Sequence, residues 1–409
     1  MKTAFPALAY RNFRLFWFGQ CISLIGTWMQ TTAQQWLVYT LTKSAFLLGL
    51  LGVAQFGPML CLSLVAGVFI DRYPKKNMIL FTQTFLMIQA FALGVLICSG
   101  HIVYWEVLVL AALQGLINTL DIPTRQSLIS YLVDRKDLSS ALGLNSAVFN
   151  IARMIAPALS AVLIAQFGTG LLFLFNGITF IPVIIGLYLI KVESSGIKQV
   201  RRKVFSEMLE GLNYIRHSIV LSSTVLSLLA VGTFVMNFNL LLPVYATETL
   251  GQGVYGFSFI SSAVGAGSLI GALLVAVRAK GNPSLRFLFG SALLVSLLLV
   301  ILNFIHALPL AVVMFVIIGF VNIFFAISAN TTIQLNSSEQ FKGRVMSVYS
   351  FAFVGTTPIG NLFAGSIAEK LGPGMGFFMN GAVSGILIIF TIINFLLKKH
   401  TLQTTVKSV

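Results

Sequence analysis

Charge is what this 409-residue chain has least of: Asp, Glu, Lys and Arg together make up 9% of it. A soluble domain carries about a quarter, so a globular enzyme free in water is excluded. Hydrophobic residues are 57% of the chain and its mean hydropathy is +0.94. No single water-facing core hides that much apolar surface, and a bilayer has to be the solvent. Acid is scarcer than base, 11 residues against 26, for a net charge of +15. In a membrane chain such an excess belongs to basic loops and not to nucleic-acid binding. The three cysteines, Cys21, Cys61 and Cys98, lie in apolar stretches without a C-x-x-C pair, which excludes a disulfide scaffold. His101, His217, His306 and His400 lie in loops or at span ends without metal-ligand spacing, so no metal is expected. There is no phosphate-binding loop, so no ATP-driven step and no cofactor is expected. Gly265-Ala-Gly267-Ser-Leu-Ile-Gly271 mimics a dinucleotide loop but lies inside an apolar run. It reads as a helix-packing face. The opening, Met1 to Gln20, lacks the order of a cleaved leader.

What is abundant is apolar runs of spanning length. They fall at about 15–41, 45–70, 77–99, 104–131, 139–166 and 169–190, then at about 219–246, 254–277, 286–305, 308–333, 345–369 and 375–397. One spanning helix takes about 20 residues, so the expectation is an all-α integral membrane protein with twelve transmembrane helices. The basic residues orient it. Lys2, Arg11 and Arg14 precede span one, Arg72, Lys75 and Lys76 follow span two, and Arg135 and Lys136 follow span four. Lys191, Lys198, Arg201, Arg202, Lys203 and Arg216 lie between spans six and seven, and Arg278, Lys280, Arg286, Lys342, Arg344, Lys398, Lys399 and Lys407 continue on that side. Lys43 and Lys370 fall on the other side, while Arg125 and Arg153 lie within spans. The positive-inside bias places both termini and the linker in the cytoplasm, in a bacterial-type inner membrane.

The chain therefore divides into a six-span bundle at 1–190, a polar linker at 191–218 and a second bundle at 219–409. In the linker Val204, Phe205, Met208, Leu209, Leu212 and Ile215 share one helical face. That predicts an amphipathic helix on the inner leaflet, drawn to anionic lipid; a regulatory partner site is the alternative. The halves also match at an offset of 204 residues: Gly49, Gly52, Gly67 and Lys76 recur as Gly253, Gly256, Gly271 and Lys280. Gly168, Gly170, Phe173, Asn176 and Gly177 recur as Gly372, Gly374, Phe377, Asn380 and Gly381. Duplicated six-helix halves are the architecture of many secondary transporters, with the substrate site near mid-membrane.

After span two comes Gly67-Val-Phe-Ile-Asp71-Arg72-Tyr-Pro-Lys75-Lys76. Gly67 lets helices come close, Asp71 suits the positive end of a neighbouring helix, and Arg72 suits a carboxylate at another helix end. This segment resembles the signature loop of the major facilitator superfamily, G-x-x-x-D-R-x-x-(K/R)-(K/R), which that family carries between helices two and three. The resemblance implies two six-helix bundles and a gate loop of Gly67, Asp71, Arg72, Lys75 and Lys76. Asp71 would then dock on the first turn of span eleven near Gly343. The second-half copy has Val275 and Ala276 where the acid and arginine would be, so the gate chemistry is expected in the first half. In span five, Arg153-Met-Ile-Ala156-Pro157-Ala-Leu-Ser160-Ala161 resembles the exporters' G-P-x-x-G-G motif with small residues in place of glycine. That implies helix packing through Ala156, Pro157 and Ser160. Adding Asp121-Ile-Pro123-Thr-Arg125, Asp134-Arg-Lys-Asp137-Leu, Glu210-Gly-Leu-Asn-Tyr and Gly343-Arg344-Val-Met-Ser, the chain resembles the third drug:proton antiporter group. That group includes macrolide-efflux and enterobactin-type siderophore exporters.

Polar stripes at helical spacing run along span one (Gln20, Ser23, Thr27, Gln30, Thr31, Gln34), span four (Gln114, Asn118, Asp121, Arg125), span five (Ser146, Asn150, Arg153, Pro157, Ser160) and span eleven (Ser347, Ser350, Thr357, Asn361). Polar groups facing lipid lack partners, so the stripes line either interhelical contacts or a wet cavity. The cavity reading names Gln20, Thr27, Gln34, Gln114, Asn118, Asn150, Arg153, Asn237, Thr357 and Asn361, with aromatic walls from Trp28, Trp36, Phe234, Phe238 and Tyr245. Two intramembrane charges have two readings each. Asp121 pairs with Arg125, Arg72 or Arg153 as plain structure, or it sheds a proton during a cycle with Arg125 beside it; Arg153 pairs likewise, or it meets an anionic substrate. The expected function is secondary transport by alternating access, with no catalytic residues: a small organic molecule, drug-like or a siderophore, exported against protons. Uptake of a small anionic metabolite and a non-transporting sensor or scaffold are the rivals.

Overall fold

In a bilayer the backbone has no water to bond with, and a helix satisfies it within one segment. The computed structural model describes residues 6–190, 204–278, 284–338 and 341–407, and every regular element among them is helical. Ten stretches are long and apolar enough to cross a membrane. One of the ten, Ser140–Leu189, reverses at Gly168 and is two spans, five and six. Span one, Arg11–Thr42, is more polar than the ten because of its glutamines, and with it the spans number twelve. The others are Ala45–Arg72, Lys75–Cys98, Tyr104–Leu132, four helical pieces between Ile219 and Thr249, Gly253–Arg278, Leu285–Leu302, Leu308–Asn336, the pieces between Lys342 and Leu371, and Pro373–Lys407.

The repeat is written into the backbone. Gly168 turns span five into six at φ +76°, and Gly372 turns span eleven into twelve at φ +85°. That left-handed conformation strains any residue with a Cβ, and the two glycines are the 204-residue pair of the sequence.

Contacts divide the chain into two units, Met1–Lys43 with Ala54–Arg201, and Ser44–Val53 with Arg202–Val409. The first turns of span two thus group with the second unit. Glu369 of span eleven accepts from Ser44 Oγ at 2.9 Å and from the Phe46 N–H at 3.1 Å, and Gly49 and Gly52 lie against Asn361. The linker helix Val204–His217 groups there too. Its apolar residues do not share one environment: Ile215 is buried while Leu209 and Leu212 are exposed, and the side chains of Val204, Phe205 and Met208 lie outside the described residues. The N-terminal stretch of the linker, 191–203, lies outside them as well.

The first unit is held by a buried amide network. Gln30 of span one donates to Gln89 of span three at 2.9 Å and accepts from Asn176 of span six at 2.6 Å. In the second unit Phe234 and Leu293 stand at the counterparts of Gln30 and Gln89. An aromatic cluster of Tyr245, Phe315 and Phe377, with ring centroids 5.3–6.1 Å apart, fills its interior. Phe238 and Tyr245 are fully buried there, so they are core residues and not cavity walls. The Tyr245 hydroxyl donates to the Ile305 carbonyl at 2.6 Å.

Spans seven and eleven are not uniform α-helix. Val231–Val235, Tyr245–Thr249 and Phe351–Gly355 wind as wider π-turns, with the Met236 N–H reaching the Val231 carbonyl at 2.9 Å. Two of these turns meet, since Gly232 lies against the Ala352 carbonyl. Single π-turns inside helices concentrate at functional sites.

Candidate transport site

Span four sets Gln114, Asn118, Asp121 and Arg125 on one face by their three- and four-residue spacing. Asp121 is 0% exposed, and a lone carboxylate there would be prohibitively desolvated. Its partners resolve the problem. Oδ1 accepts from Thr82 Oγ1 at 2.6 Å and from Gln83 Nε2 at 2.8 Å, both on span three. Oδ2 is ion-paired with Arg125 one turn on, and Arg125 Nη1 donates to Gln20 Oε1 of span one at 2.5 Å. Three spans therefore meet through one carboxylate and one guanidinium. Among the described residues Asp121 is ion-paired with Arg125; the side chain of Arg72, another suggested partner, lies outside them.

Arg153 takes a different neighbour. Its guanidinium lies 5.9 Å from the Trp28 ring centroid, and Trp28 packs edge-on against Phe149 at 5.7 Å. A cation over an indole face keeps its charge while shielded from lipid. About one to two turns further along span five, Ala156 is buried and Ser160 donates to the Met29 carbonyl at 3.0 Å, with Pro157 between them in the helix. That seats span five closely on span one.

The amide side chains are only partly satisfied. Gln34 accepts from Gln55 Nε2 at 2.7 Å, yet the buried atoms Gln34 Nε2, Gln20 Nε2, Gln83 Oε1 and Gln114 Oε1 have no protein partner. Each such atom costs about 1–3 kcal/mol unless water or a ligand meets it. Four of them inside one bundle call for a polar occupant. Asn118 is half-buried, and Thr27 spends its proton on the Ser23 carbonyl at 2.8 Å. In the second unit Asn237 donates to the Thr233 carbonyl at 2.5 Å beside Gly360, Thr357 is half-buried, and Asn361 is buried against Gly49 and Gly52. The structure joins Gln20, Asp121 and Arg125 into one network.

The signature-loop lysines cap helix ends. Lys76 Nζ donates to the Ile190 carbonyl at 2.6 Å and to that of Tyr188 at 3.3 Å, and Lys75 Nζ to that of Ile70. Such pairing suits the negative end of a helix. The side chains of Gly67, Asp71, Arg72 and Asn150 lie outside the described residues. No group of His, Cys, Asp and Glu suited to a metal occurs among the described residues. Thr82, Gln83 and Gln55 were the residues not singled out from sequence; a Thr-Gln pair inside an apolar span was the available signal.

A family model described as transmembrane secretion effector matches residues 2–407. The chain is similar to the multidrug efflux pump Tap of Mycolicibacterium fortuitum, 24% identical over 85% of this chain and 87% of that one. It is similar to the staphyloferrin A transporter of Staphylococcus aureus, 25% identical over 94% and 97%. With macrolide efflux protein A of Streptococcus pyogenes it shares 22% identity over 91% and 94%. Among solved structures, the nucleoside transporter NupG superposes with a TM-score of 0.70 at 11% identity, covering 93% of this chain and 98% of that one. A bacterial homologue of the human lysosomal transporter Spinster does so with a TM-score of 0.70 at 14% identity, over 96% and 98%.

Proposed function

We propose that this chain, which belongs to the transmembrane secretion effector family of the major facilitator superfamily, exports a small organic molecule in exchange for protons. It is a multi-pass membrane transporter and not an enzyme; cargo, direction and coupling are the proposal. The observation that carries it is the Asp121 cage. Inside a helical bundle, one carboxylate holds Arg125, and Arg125 holds Gln20. A proton arriving on Asp121 converts the carboxylate to a neutral acid, cancels the ion pair and leaves a guanidinium needing another partner. Two arrangements of one network, selected by a proton, are what coupling requires. The partnerless glutamine atoms alongside supply polar groups for water or cargo. Gln20, Gln34, Gln114, Asn118 and Arg153 are the first-unit cavity residues of this reading, and Asn237, Thr357 and Asn361 those of the second.

The relatives are named for multidrug efflux, staphyloferrin A transport and macrolide efflux, and Arg153 on Trp28 suits a cargo with both an aromatic or apolar body and an acidic group. Everted membrane vesicles energised by respiration test the reading. Labelled erythromycin and staphyloferrin A are the probes, and accumulation of either inside, abolished by an uncoupler, is expected. Accumulation only in right-side-out vesicles would make it an uptake system, and no flux of any compound in a broad metabolite panel would make it a sensor or scaffold.

Arg153→Gln is expected to insert and accumulate normally while staphyloferrin A flux falls about tenfold to a hundredfold, the loss of a charged hydrogen bond. Erythromycin flux should fall less. Equal loss for both, or failure to accumulate, removes Arg153 from cargo recognition. For orientation, reporter fusions at His217 and His400 should report cytoplasm, and fusions at Lys43 and His306 the outside. A periplasmic signal at His217 would overturn the orientation.

A further inference from the structure

Two tyrosines that precede spans one and seven occupy equivalent places. Tyr10 directs its hydroxyl at Oδ2 of both Asp134, 2.8 Å away, and Asp137, 2.7 Å away. One phenol proton serves one carboxylate at a time, so the two acids share it. Both lie just ahead of span five. Tyr214 accepts the Ser338 N–H at 3.1 Å and stacks on Phe341 with centroids 4.6 Å apart and planes 4° from parallel. Those two residues lie just ahead of span eleven. Tyr10 and Tyr214, Asp134 and Ser338, and Asp137 and Phe341 are each 204 residues apart, the offset that relates the two halves. The geometry is thus kept in both units while its chemistry differs. Bonding to Asp137 first, and to Asp134, raises the Tyr10 hydroxyl above the usual phenol range and keeps it a donor. Donation from Ser338 lowers that of Tyr214.

The surroundings repeat as well. Ala7 is fully buried, and its counterpart Gly211 lies so near Arg344 that a Cβ would sit 3.1 Å from the Arg344 carbonyl oxygen. The second unit adds an ion pair, Glu210 to Arg344 at 2.5 Å, with the guanidinium 5.2 Å from the Phe341 ring centroid. Further along the same helix pairs lie the features already described. Spans one and five carry Trp28 and Arg153, and spans seven and eleven carry the two π-turns in contact.

We propose that Tyr10 and Tyr214 are duplicated positioning residues, each fastening the start of its unit's first span to the loop that opens its fifth, so that the two helices move together. The consequence for flux rests on the transport reading; the fastening itself does not.

Hydrogen–deuterium exchange on the full chain in lipid nanodiscs, alongside erythromycin and staphyloferrin A flux, tests it. Tyr10→Phe removes the donor, and exchange ahead of span five should rise about tenfold while exchange ahead of span eleven stays unchanged. Tyr214→Phe keeps the ring stack but removes the acceptor of the Ser338 N–H, so exchange should rise at Ser338 alone, whereas Tyr214→Ala should free the loop ahead of span eleven as a whole. In Tyr10→Phe and Tyr214→Ala the maximal flux should fall severalfold at an unchanged half-saturating concentration. Unchanged exchange in Tyr10→Phe, or equal effects of Phe and Ala at Tyr214, would overturn the clamp. Raised exchange with undiminished flux would overturn its positioning role. Absence of flux in the unsubstituted protein marks failure of the transport reading instead, and exchange then decides the clamp alone.

Discussion

Asp121→Ala is expected to destabilise the protein by about 3–5 kcal/mol, the cost of leaving a buried charge without its partner. The size follows from where the charge is left. Arg125 is mostly buried, and with Asp121 gone its polar partner among the described residues is Gln20 Oε1. Thr82 and Gln83 would lose their acceptor as well. Arg125→Ala should cost a similar amount, because Asp121 would keep two neutral donors but no counter-charge. Replacing both, Asp121→Leu with Arg125→Met, should recover most of the loss, since apolar residues of similar volume often substitute for a buried pair without penalty. Thermal unfolding in detergent reads all three. Single substitutions with no effect, or a double variant as unstable as the two singles summed, would mean that the pair is not the closed unit described.

The second large effect lies in the other unit and is steric. Gly267→Val is expected to abolish accumulation of the protein in the membrane. Span eight meets span ten through glycine on both sides: Gly267 lies on the Val316 carbonyl, and Gly319 on that of Val264. A Cβ at Gly271 would be 2.6 Å from Ile323 Cγ2 and 2.9 Å from the Phe320 carbonyl oxygen. Backbone cannot rotate aside as a side chain does, so the cost exceeds the about 1–3 kcal/mol of ordinary overpacking. Gly290 on span nine is the control, because a Cβ there meets nothing within 4 Å. Gly290→Val should accumulate normally. Equal yields of the two variants would show that the helices have room to part.

Much of this was legible in the order of residues because membrane helices carry their length in their composition. Twelve spans, the turn at Gly168 and its counterpart at Gly372, and the Gly267 packing face all follow from local rules. Spacing puts Arg125 within reach of Asp121 on one helix face but leaves Arg72 and Arg153 open beside it; packing supplies the ion pair. Arg153 could not be placed from spacing, since its neighbour Trp28 is 125 positions away and cation–π contact leaves no local trace. The π-turns of spans seven and eleven were equally hidden, for a loose turn is set by what packs against it and not by its own apolar residues. Phe238 and Tyr245 read as cavity walls, and the packing that buries both of them leaves no mark in the order of residues. Tyr10 and Tyr214 stand at the repeat offset in the sequence, but a single matched tyrosine does not name its partners, and packing supplies Asp137 and Phe341.

The claim on which the account turns is that a proton on Asp121 drives cargo movement, and one measurement addresses it most directly. The purified protein and its Asp121→Asn variant, isosteric and still able to accept from Thr82, are reconstituted in liposomes under an imposed pH gradient with labelled erythromycin or staphyloferrin A. The unsubstituted protein should concentrate one of them against its gradient and stop when the pH gradient is collapsed, whereas Asp121→Asn should only let it equilibrate. An Asp121→Asn protein that still concentrates the cargo would contradict the account.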